Sequence, residues 1–453
     1  MTRVAEKYLV IGTGISGIAA CNLLQKHQEK VVLFDGNEQL DMVAFKSKNP
    51  SLADVEMYVG QLPETVLKSV TTAVLSPGVP TDLPMINDMR ARGVKISGEI
   101  QLAYEMGAGQ VVAITGTNGK TTTTALTGEI MRRHFADVRV VGNIGIPYTK
   151  EAETMTVETV TVAEISSFQL ETISTFAPHV SAILNITPDH LNRHHTMENY
   201  IQAKEDITKY QGVNDVTVLN YEDQVLREFG KTLKHKVVFF SSAQKLENGL
   251  YYQDGHIYWN RDGQTEEIIA VDQLQILGLH NYENVMAAVA MADAMGVSMD
   301  EIREALRAFT AVEHRIEYVC EKRGVRFYND SKGTNPDAAI KGIQAMDRKT
   351  CLIGGGYDKE STYDEWIESF DGKVKLLVLI GQTREKIAEC CKNHGFTNYV
   401  FAETFEEAID KCYAKAEKGD AVLLSPACAS WGMFPNYEER GRIFKEYVRN
   451  LPE

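Results

Sequence analysis

The chain has 453 residues, 44% of them hydrophobic and 24% charged, and a formal net charge of −15. That length exceeds what one hydrophobic core organises, so two or three domains are expected. The acidic balance excludes a general nucleic-acid binder, which needs a basic surface, but allows anionic ligands held by local cations and helix N-termini. The seven cysteines (Cys21, Cys320, Cys351, Cys390, Cys391, Cys412 and Cys428) are odd in number and show no CxxC spacing. That usage fits a reducing compartment and argues against a disulfide framework or a zinc site.

Residues 8–24 are mildly apolar, follow Lys7 and contain Ala19, Ala20 and Cys21, so they resemble a signal or lipoprotein segment. Gly12, Gly14 and Gly17 interrupt the stretch and favour a strand, a turn and a helix start instead. No apolar run reaches the ~18 residues that suggest a membrane span. A cytoplasmic location is the expectation, and nothing in the sequence demands more than a monomer.

The fold class expected is α/β in three domains, at 1–99, 100–311 and 312–453. In the first, strands are predicted at 8–11, 31–34 and 73–76 with a helix at 15–26, the pattern of a parallel sheet with crossover helices. The second opens with a strand at 111–114, with further strands at 159–163 and 180–184. It continues through a hairpin at 251–258 turning on Asp254 and Gly255. It closes with a helix capped by Ser298 and Glu301, with Ile302, Ala305, Leu306 and Phe309 on one face. The third domain has predicted strands at 326–329, 351–354, 376–380 and 421–425.

The strand at 111–114 runs into Gly116, Thr117, Asn118, Gly119, Lys120, Thr121 and Thr122, then a helix. A glycine-rich turn before a helix presents several N–H groups to one anion, and the helix dipole adds to the attraction. Lys120 is placed to reach outer phosphates and the Thr121 hydroxyl to ligate Mg²⁺. The loop departs from the common P-loop, because Gly116 stands three residues before Gly119 instead of five. Glu164 and His190 follow two later strands, and ligands of open α/β sheets gather beyond the carboxyl ends of strands. A carboxylate and an imidazole there suit a divalent ion bridging phosphate and substrate. Lys204, by composition alone, reads as an exposed surface lysine.

The motifs from Gly116 to Thr121, at Glu164, from Asn185 to His194, from Gly278 to Asn284, at His314 and Arg315, and from Asp330 to Pro336 resemble those of the Mur ligase superfamily, in order and over the whole length. Ser166 to Glu171, Ser425 to Ser430 and Asn436 to Gly441 resemble its D-glutamate-adding branch. The resemblance implies a Rossmann-like N-terminal domain binding a UDP-sugar, a P-loop ATPase-like central domain, and a Rossmann-like C-terminal domain holding D-glutamate. The substrates would be ATP, UDP-N-acetylmuramoyl-L-alanine and D-glutamate, with two Mg²⁺ ions, in peptidoglycan precursor synthesis.

The resemblance also implies roles by position. Lys204 would be carbamylated and join Thr121, Glu164 and His190 as a metal ligand. Asn281 and Asn284 would approach the adenine, Asp330 the ribose, and Arg315 the phosphates. Ile15, Ser16, Asp35, Gly36, Gly78 and Asn143 would contact the UDP substrate. Lys332, Thr334, Lys359, Ser430 and Tyr437 would bind D-glutamate, a dianion that needs cations and hydroxyl donors to offset its desolvation.

Gly12, Gly14 and Gly17 with Asp35 after the second strand also fit a dinucleotide fingerprint, which keeps a nicotinamide-dependent oxidoreductase in view. That reading leaves Lys120 and the motifs after it unused, and fold alone does not settle function. A folylpolyglutamate synthetase-like amide ligase would share the central chemistry but not the first glycine turn or the 425–430 segment. A non-catalytic scaffold would have no use for Lys120, Glu164, His190 and Lys204 together.

Overall fold

The computed structural model describes residues 7–310 and 312–453. Its strands form three separate sheets, each with helices threaded between the parallel strands. The first holds β1 (Lys7–Ile11), β2 (Lys30–Asp35), β3 (Glu56–Val59), β4 (Thr72–Leu75) and β5 (Lys95–Gly98). All its pairs are parallel, in the order β3-β2-β1-β4-β5.

The second sheet comprises β6 (Gln110–Thr115), β7 (Val138–Gly142), β8 (Val160–Glu164), β9 (Val180–Ile183) and β10 (Val216–Asn220). It continues through β11 (Lys236–Ser241), β12 (Gly249–Gln253), β13 (His256–Arg261) and β14 (Gln264–Ala270). The order is β14-β13-β12-β11-β10-β9-β6-β8-β7. The third sheet contains β15 (Glu317–Lys322), β16 (Val325–Asn329), β17 (Thr350–Gly355), β18 (Val374–Ile380), β19 (Tyr399–Phe401) and β20 (Ala421–Leu424), in the order β15-β16-β20-β17-β18-β19.

The described residues group into two compact units. One runs to Ile269 and includes Glu283–Leu306; the other holds Ala270–Tyr282 and Arg307–Glu453. Within the first unit a single apolar core joins the first two sheets, through Leu23 and Leu24 on one side and Tyr148, Ala152 and Val111 on the other. The expected boundary at 99/100 falls at the first turn of the helix Glu99–Met106, and the one at 311/312 touches Ala311, which lies outside the described residues.

Strands buried on both faces explain the apolar runs read from the sequence: β6, β8 and β9 are buried almost throughout. The predicted hairpin forms between β12 and β13, with Asp254 at φ 50° and Gly255 at φ 84°. Two positive φ values in a two-residue loop are the primed turn that matches strand twist. Ser298 and Glu301 exchange hydrogen bonds at the start of the helix Met299–Ala308, completing the expected capping box.

The second and third sheets reverse their strand order where chemistry was expected. In the second, β6 lies between β8 and β9, so the loop after β6, Glu164 and the segment after β9 emerge side by side. In the third, β20 lies between β16 and β17, which brings Asp330, the 425–430 segment and the loop after β17 to one edge. A switch in strand order opens the crevice in which α/β proteins bind ligands.

Close approach dictates one glycine. A Cβ on Gly17 would stand 1.9 Å from the Gly12 carbonyl oxygen, so only glycine lets the helix Ile15–Lys26 seat against the end of β1. Gly17→Ala is expected to destabilise the first sheet by roughly 2–3 kcal/mol, the scale of an overpacked core. Thermal unfolding of the variant checks this.

Candidate functional site

The glycine turn after β1 divides its labour. Gly12 takes φ 102°, Gly17 gives the close approach above, and a Cβ on Gly14 would meet nothing within 4 Å. Open space above Gly14, Gly36 and Gly78, beside an Ile15 that is 65% exposed, leaves a bare backbone surface at the N-terminus of a helix. Ser16 is half-buried in the first turn of that helix. Asp35 accepts from the Thr13 amide at 3.0 Å and the Thr13 hydroxyl at 2.6 Å, and its other oxygen accepts from the Asn37 amide at 3.0 Å. Burial pushes its pKa up, but these hydrogen bonds outweigh that and hold it below the usual carboxylate value.

The loop after β6 is built on two glycines, Gly116 at φ 149° and Gly119 at φ 87°. A side chain on Gly119 would come within 2.4 Å of Asn284 Oδ1, which also accepts from the Thr123 hydroxyl at 3.1 Å. Asn284 thus lies against the loop after β6. Thr121 stands in the first turn of the helix Lys120–His134. Lys120 Nζ donates to the Gly116 and Thr117 carbonyls, each at 2.9 Å.

Lys204 is not the exposed lysine that its composition suggested. It is 2% exposed on the helix Met197–Glu205 and donates to the same Gly116 carbonyl at 2.8 Å. Burial and the nearby Lys120 charge push its pKa down to about 7. The packing of this helix under the loop, with Tyr200 buried beside it, converts a surface-type residue into an interior amine.

Glu164 ends β8, and its carboxylate is buried. Oε1 accepts from Asn143 Nδ2 at 2.8 Å, whereas Oε2 is buried with no hydrogen-bond partner. A buried ionisable oxygen without a donor is costly unless a cation or proton meets it. Asn143 is tied to Glu164 a second time, its amide donating to the Glu164 carbonyl at 2.9 Å.

His190 takes φ 52°, ahead of the short helix Leu191–His194, with its ring half exposed and 4.9 Å from Phe168. Sequence reasoning overlooked how this segment is held. Arg193 pairs with Glu171 at 2.7 Å and donates to the Val79 carbonyl at 2.9 Å, and His194 Nε2 lies 2.9 Å from Ser167 Oγ. Thr117 is latched to the same segment through the Thr187 carbonyl at 3.1 Å and the Thr187 amide at 3.0 Å. Asn185 exchanges two hydrogen bonds with Asn118. These residues stand in separate stretches of the sequence, and only the fold pairs them.

The second unit gathers its own set. Asp330, just past β16, accepts from Ser425 Oγ at 2.7 Å, and burial raises its pKa to about 7 against that bond and the Arg315 charge. Arg315 Nε is buried without a hydrogen-bond partner. Lys332 Nζ lies 5.6 Å over the Tyr437 ring, and the Thr334 amide donates to the Lys332 carbonyl at 2.8 Å. Lys359 Nζ lies 5.0 Å over Trp431, next to the buried Ser430. Asn281 donates to the Leu277 carbonyl at 2.6 Å. Arg440, 1% exposed, binds Ser331 and the Cys428 carbonyl and so ties the 425–430 segment to the loop after β16. Its scaffolding role is invisible in a one-dimensional motif.

Three family descriptions match the chain: Mur ligase MurD-like, N-terminal domain, over residues 6–98; Mur ligase middle domain, over 114–292; and Mur ligase, glutamate ligase domain, over 314–428. The chain is 53% identical over 453 residues to a UDP-N-acetylmuramoylalanine--D-glutamate ligase of Lachnoclostridium phytofermentans, covering 100% of both. It is 48% identical to the protein of that name from Alkaliphilus oremlandii, again with 100% of both covered. The chain belongs to the Mur ligase family. Its fold is the three-domain α/β architecture of Mur ligases. A crystal structure of MurF from Acinetobacter baumannii shares that fold with a TM-score of 0.62 at 17% identity, covering 95% of this chain and 98% of that one. MurC from Thermotoga maritima does so at 0.61 and 18%, covering 98% and 99%.

Proposed function

We propose that this Mur ligase uses ATP to join D-glutamate to UDP-N-acetylmuramoyl-L-alanine, as a monomer, in cytoplasmic peptidoglycan precursor synthesis. The named activity of the full-length relatives supplies the substrates. One observation carries the chemistry: the Lys120 and Lys204 side-chain nitrogens converge on the Gly116 carbonyl at a helix N-terminus. The Lys120 cation at that terminus calls for an anion of phosphate type. No described helix is long and apolar enough to cross a membrane.

The domains in this reading are 1–99 for the UDP-sugar, 100–311 for ATP and 312–453 for D-glutamate. The turn from Gly12 to Gly17, with Ile15, Ser16, Asp35, Gly36 and Gly78, takes the UDP moiety, and Asn143 the rest of that substrate. Loop amides from Gly116 to Thr122 hold the ATP phosphates, with Asn281 and Asn284 toward the adenine and Asp330 toward the ribose.

Mg²⁺ fits the residues present, because Glu164 Oε2 is a buried carboxylate oxygen that lacks a donor. Thr121, Glu164, His190 and carbamylated Lys204 would hold two such ions, which neutralise phosphate charge. A lysine with a pKa of about 7 has a substantial share of neutral amine at physiological pH, the form that attacks CO₂.

The L-alanine carboxylate attacks the γ-phosphorus of ATP, ADP leaves, and an acyl phosphate forms. Lys120 and Arg315 stabilise the transferring phosphoryl group. The D-glutamate amine then attacks the acyl carbon, loses a proton and expels phosphate. Lys332, Thr334, Lys359, Ser430 and Tyr437 supply the cations and donors for the incoming dianion. Phosphate release with UDP-N-acetylmuramoyl-L-alanine and a panel of amino acids tests the reading. D-glutamate is expected to be required, and L-glutamate, L-lysine and meso-diaminopimelate to be inert. Release driven by another amino acid would move the substrate assignment, and no release with any would overturn the ligase reading.

A further inference from the structure

The absence of CxxC spacing argued against a zinc site, yet the fold brings a cysteine, a histidine and two carboxylates together from two helices. Asp364 and Glu368 bracket one turn of the helix Asp364–Glu368, and Cys390 stands one turn before His394, which caps the helix Arg384–Asn393. Residues four apart lie on one helix face, so each helix presents a pair. Donor atoms of Asp364, Cys390 and His394 lie within 4.8 Å of one another.

We propose that Asp364, Cys390 and His394 form a binding site for a thiophilic divalent cation of the zinc class, with Glu368 as the carboxylate that orients the histidine. None of these residues takes part in the ligation chemistry above.

Both nitrogens of His394 face carboxylates. His394 Nε2 lies 2.9 Å from Asp364 Oδ1, on the side of the cluster, while Nδ1 lies 3.5 Å from Glu368 Oε1. With a cation in place of the Nε2 proton that Asp364 accepts here, Glu368 beside Nδ1 would orient the ring, as a carboxylate does behind a metal-bound histidine. Carboxylate, thiolate and imidazole are a donor set for Zn²⁺, with one position left for water. Burial and the charges of Asp364 and Glu368 raise the Cys390 thiol to about 11. A cation in their midst reverses that balance, and its binding releases the thiol proton.

Titration of the full-length chain with Co²⁺, in excess Mg²⁺ to occupy oxygen-rich sites, tests this. One equivalent of Co²⁺ is expected to produce a thiolate-to-cobalt charge-transfer band that Zn²⁺ abolishes. Cys390→Ser and His394→Ala are expected to remove the band, while Cys320→Ser keeps it. Glu368→Gln, which spares all three ligands, is expected to weaken Co²⁺ binding by roughly 10–100-fold. Circular dichroism and melting of each variant without metal guard against misfolding. If Cys390→Ser fails to fold, Asp364→Asn and His394→Ala carry the same reading. No charge-transfer band, or a band that survives Cys390→Ser or His394→Ala, would overturn the proposal.

Discussion

Replacing Lys120 by alanine is expected to cut ligation turnover by about three orders of magnitude, the scale of losing a cation or donor aimed at a transferring phosphoryl group. In this structure the Lys120 ammonium folds back onto the Gly116 and Thr117 carbonyls. Phosphate oxygens carry formal charge and are stronger acceptors than amide carbonyls, so the side chain has reason to exchange one set for the other. Binding of the UDP substrate is expected to survive, because the turn from Gly12 to Gly17 is built on β1 and the helix after it, in another sheet. Steady-state phosphate release and calorimetric titration with UDP-N-acetylmuramoyl-L-alanine read the two effects separately. Unchanged turnover would remove the loop from the mechanism.

Lys204→Met is expected to abolish ligation and, at the same time, to raise the melting temperature by a few degrees. The substitution keeps an unbranched chain of similar reach while removing the charge. Lys204 is a group whose pKa falls on folding, from 10.5 to about 7, through burial first and the Lys120 charge second. At pH below about 7 the amine is charged in both folded and unfolded chains, and the folded chain bears the full cost of holding an ammonium in its interior. As pH rises from there toward 10.5 the folded chain releases its proton first, and the cost fades. The stabilisation by methionine should therefore be largest at and below neutral pH and vanish toward pH 10.5. Melting curves across that range in CO₂-free buffer, where the amine is unmodified, provide the check. A variant that melts lower than the parent at neutral pH would refute the cost assigned to this lysine. On the activity side, the parent is expected to lose turnover as pH falls below about 7, because a protonated amine does not take up CO₂.

These two lysines also mark the limit of what a linear reading delivers. Lys120 announced itself, because a glycine-rich turn between an apolar strand and a helix is a local pattern. Lys204 did not, since only the resemblance raised it above an ordinary surface lysine. Its burial comes from the placement of the helix Met197–Glu205 beneath a loop some 80 residues earlier, where it meets the Gly116 carbonyl. Cys390 and His394 show the same limit, because their one-turn spacing is legible but the helix that carries Asp364 and Glu368 toward them is not.

The strands β3, β5, β7, β10, β11, β14, β15 and β19 were not singled out in advance, although β10 lies deep in the second sheet. Each is a short apolar or alternating run, and sheet membership is decided by long-range pairing, which no window of sequence contains. Conversely, the strands at β1, β6, β8, β9 and β16 to β18 were readable within a residue or two, because burial on both faces demands continuous apolar runs.

The sequence by itself determined the α/β class, the glycine turns after the first and sixth strands, the capping box at Ser298 and the order of the Mur ligase motifs. Those are consequences of local chemistry: backbone freedom at glycine, burial periodicity, and side chains that bond within a turn. Only the tertiary structure decided that Asn143 holds Glu164, that Glu164 Oε2 is left without a donor, and that Arg193 and Arg440 anchor the segments around each site. It also decided that burial and the Lys120 charge push the Lys204 amine down to about 7. Desolvation and charge proximity are properties of three-dimensional neighbourhoods, and those neighbourhoods come into being where sheets reverse their strand order and unrelated loops meet.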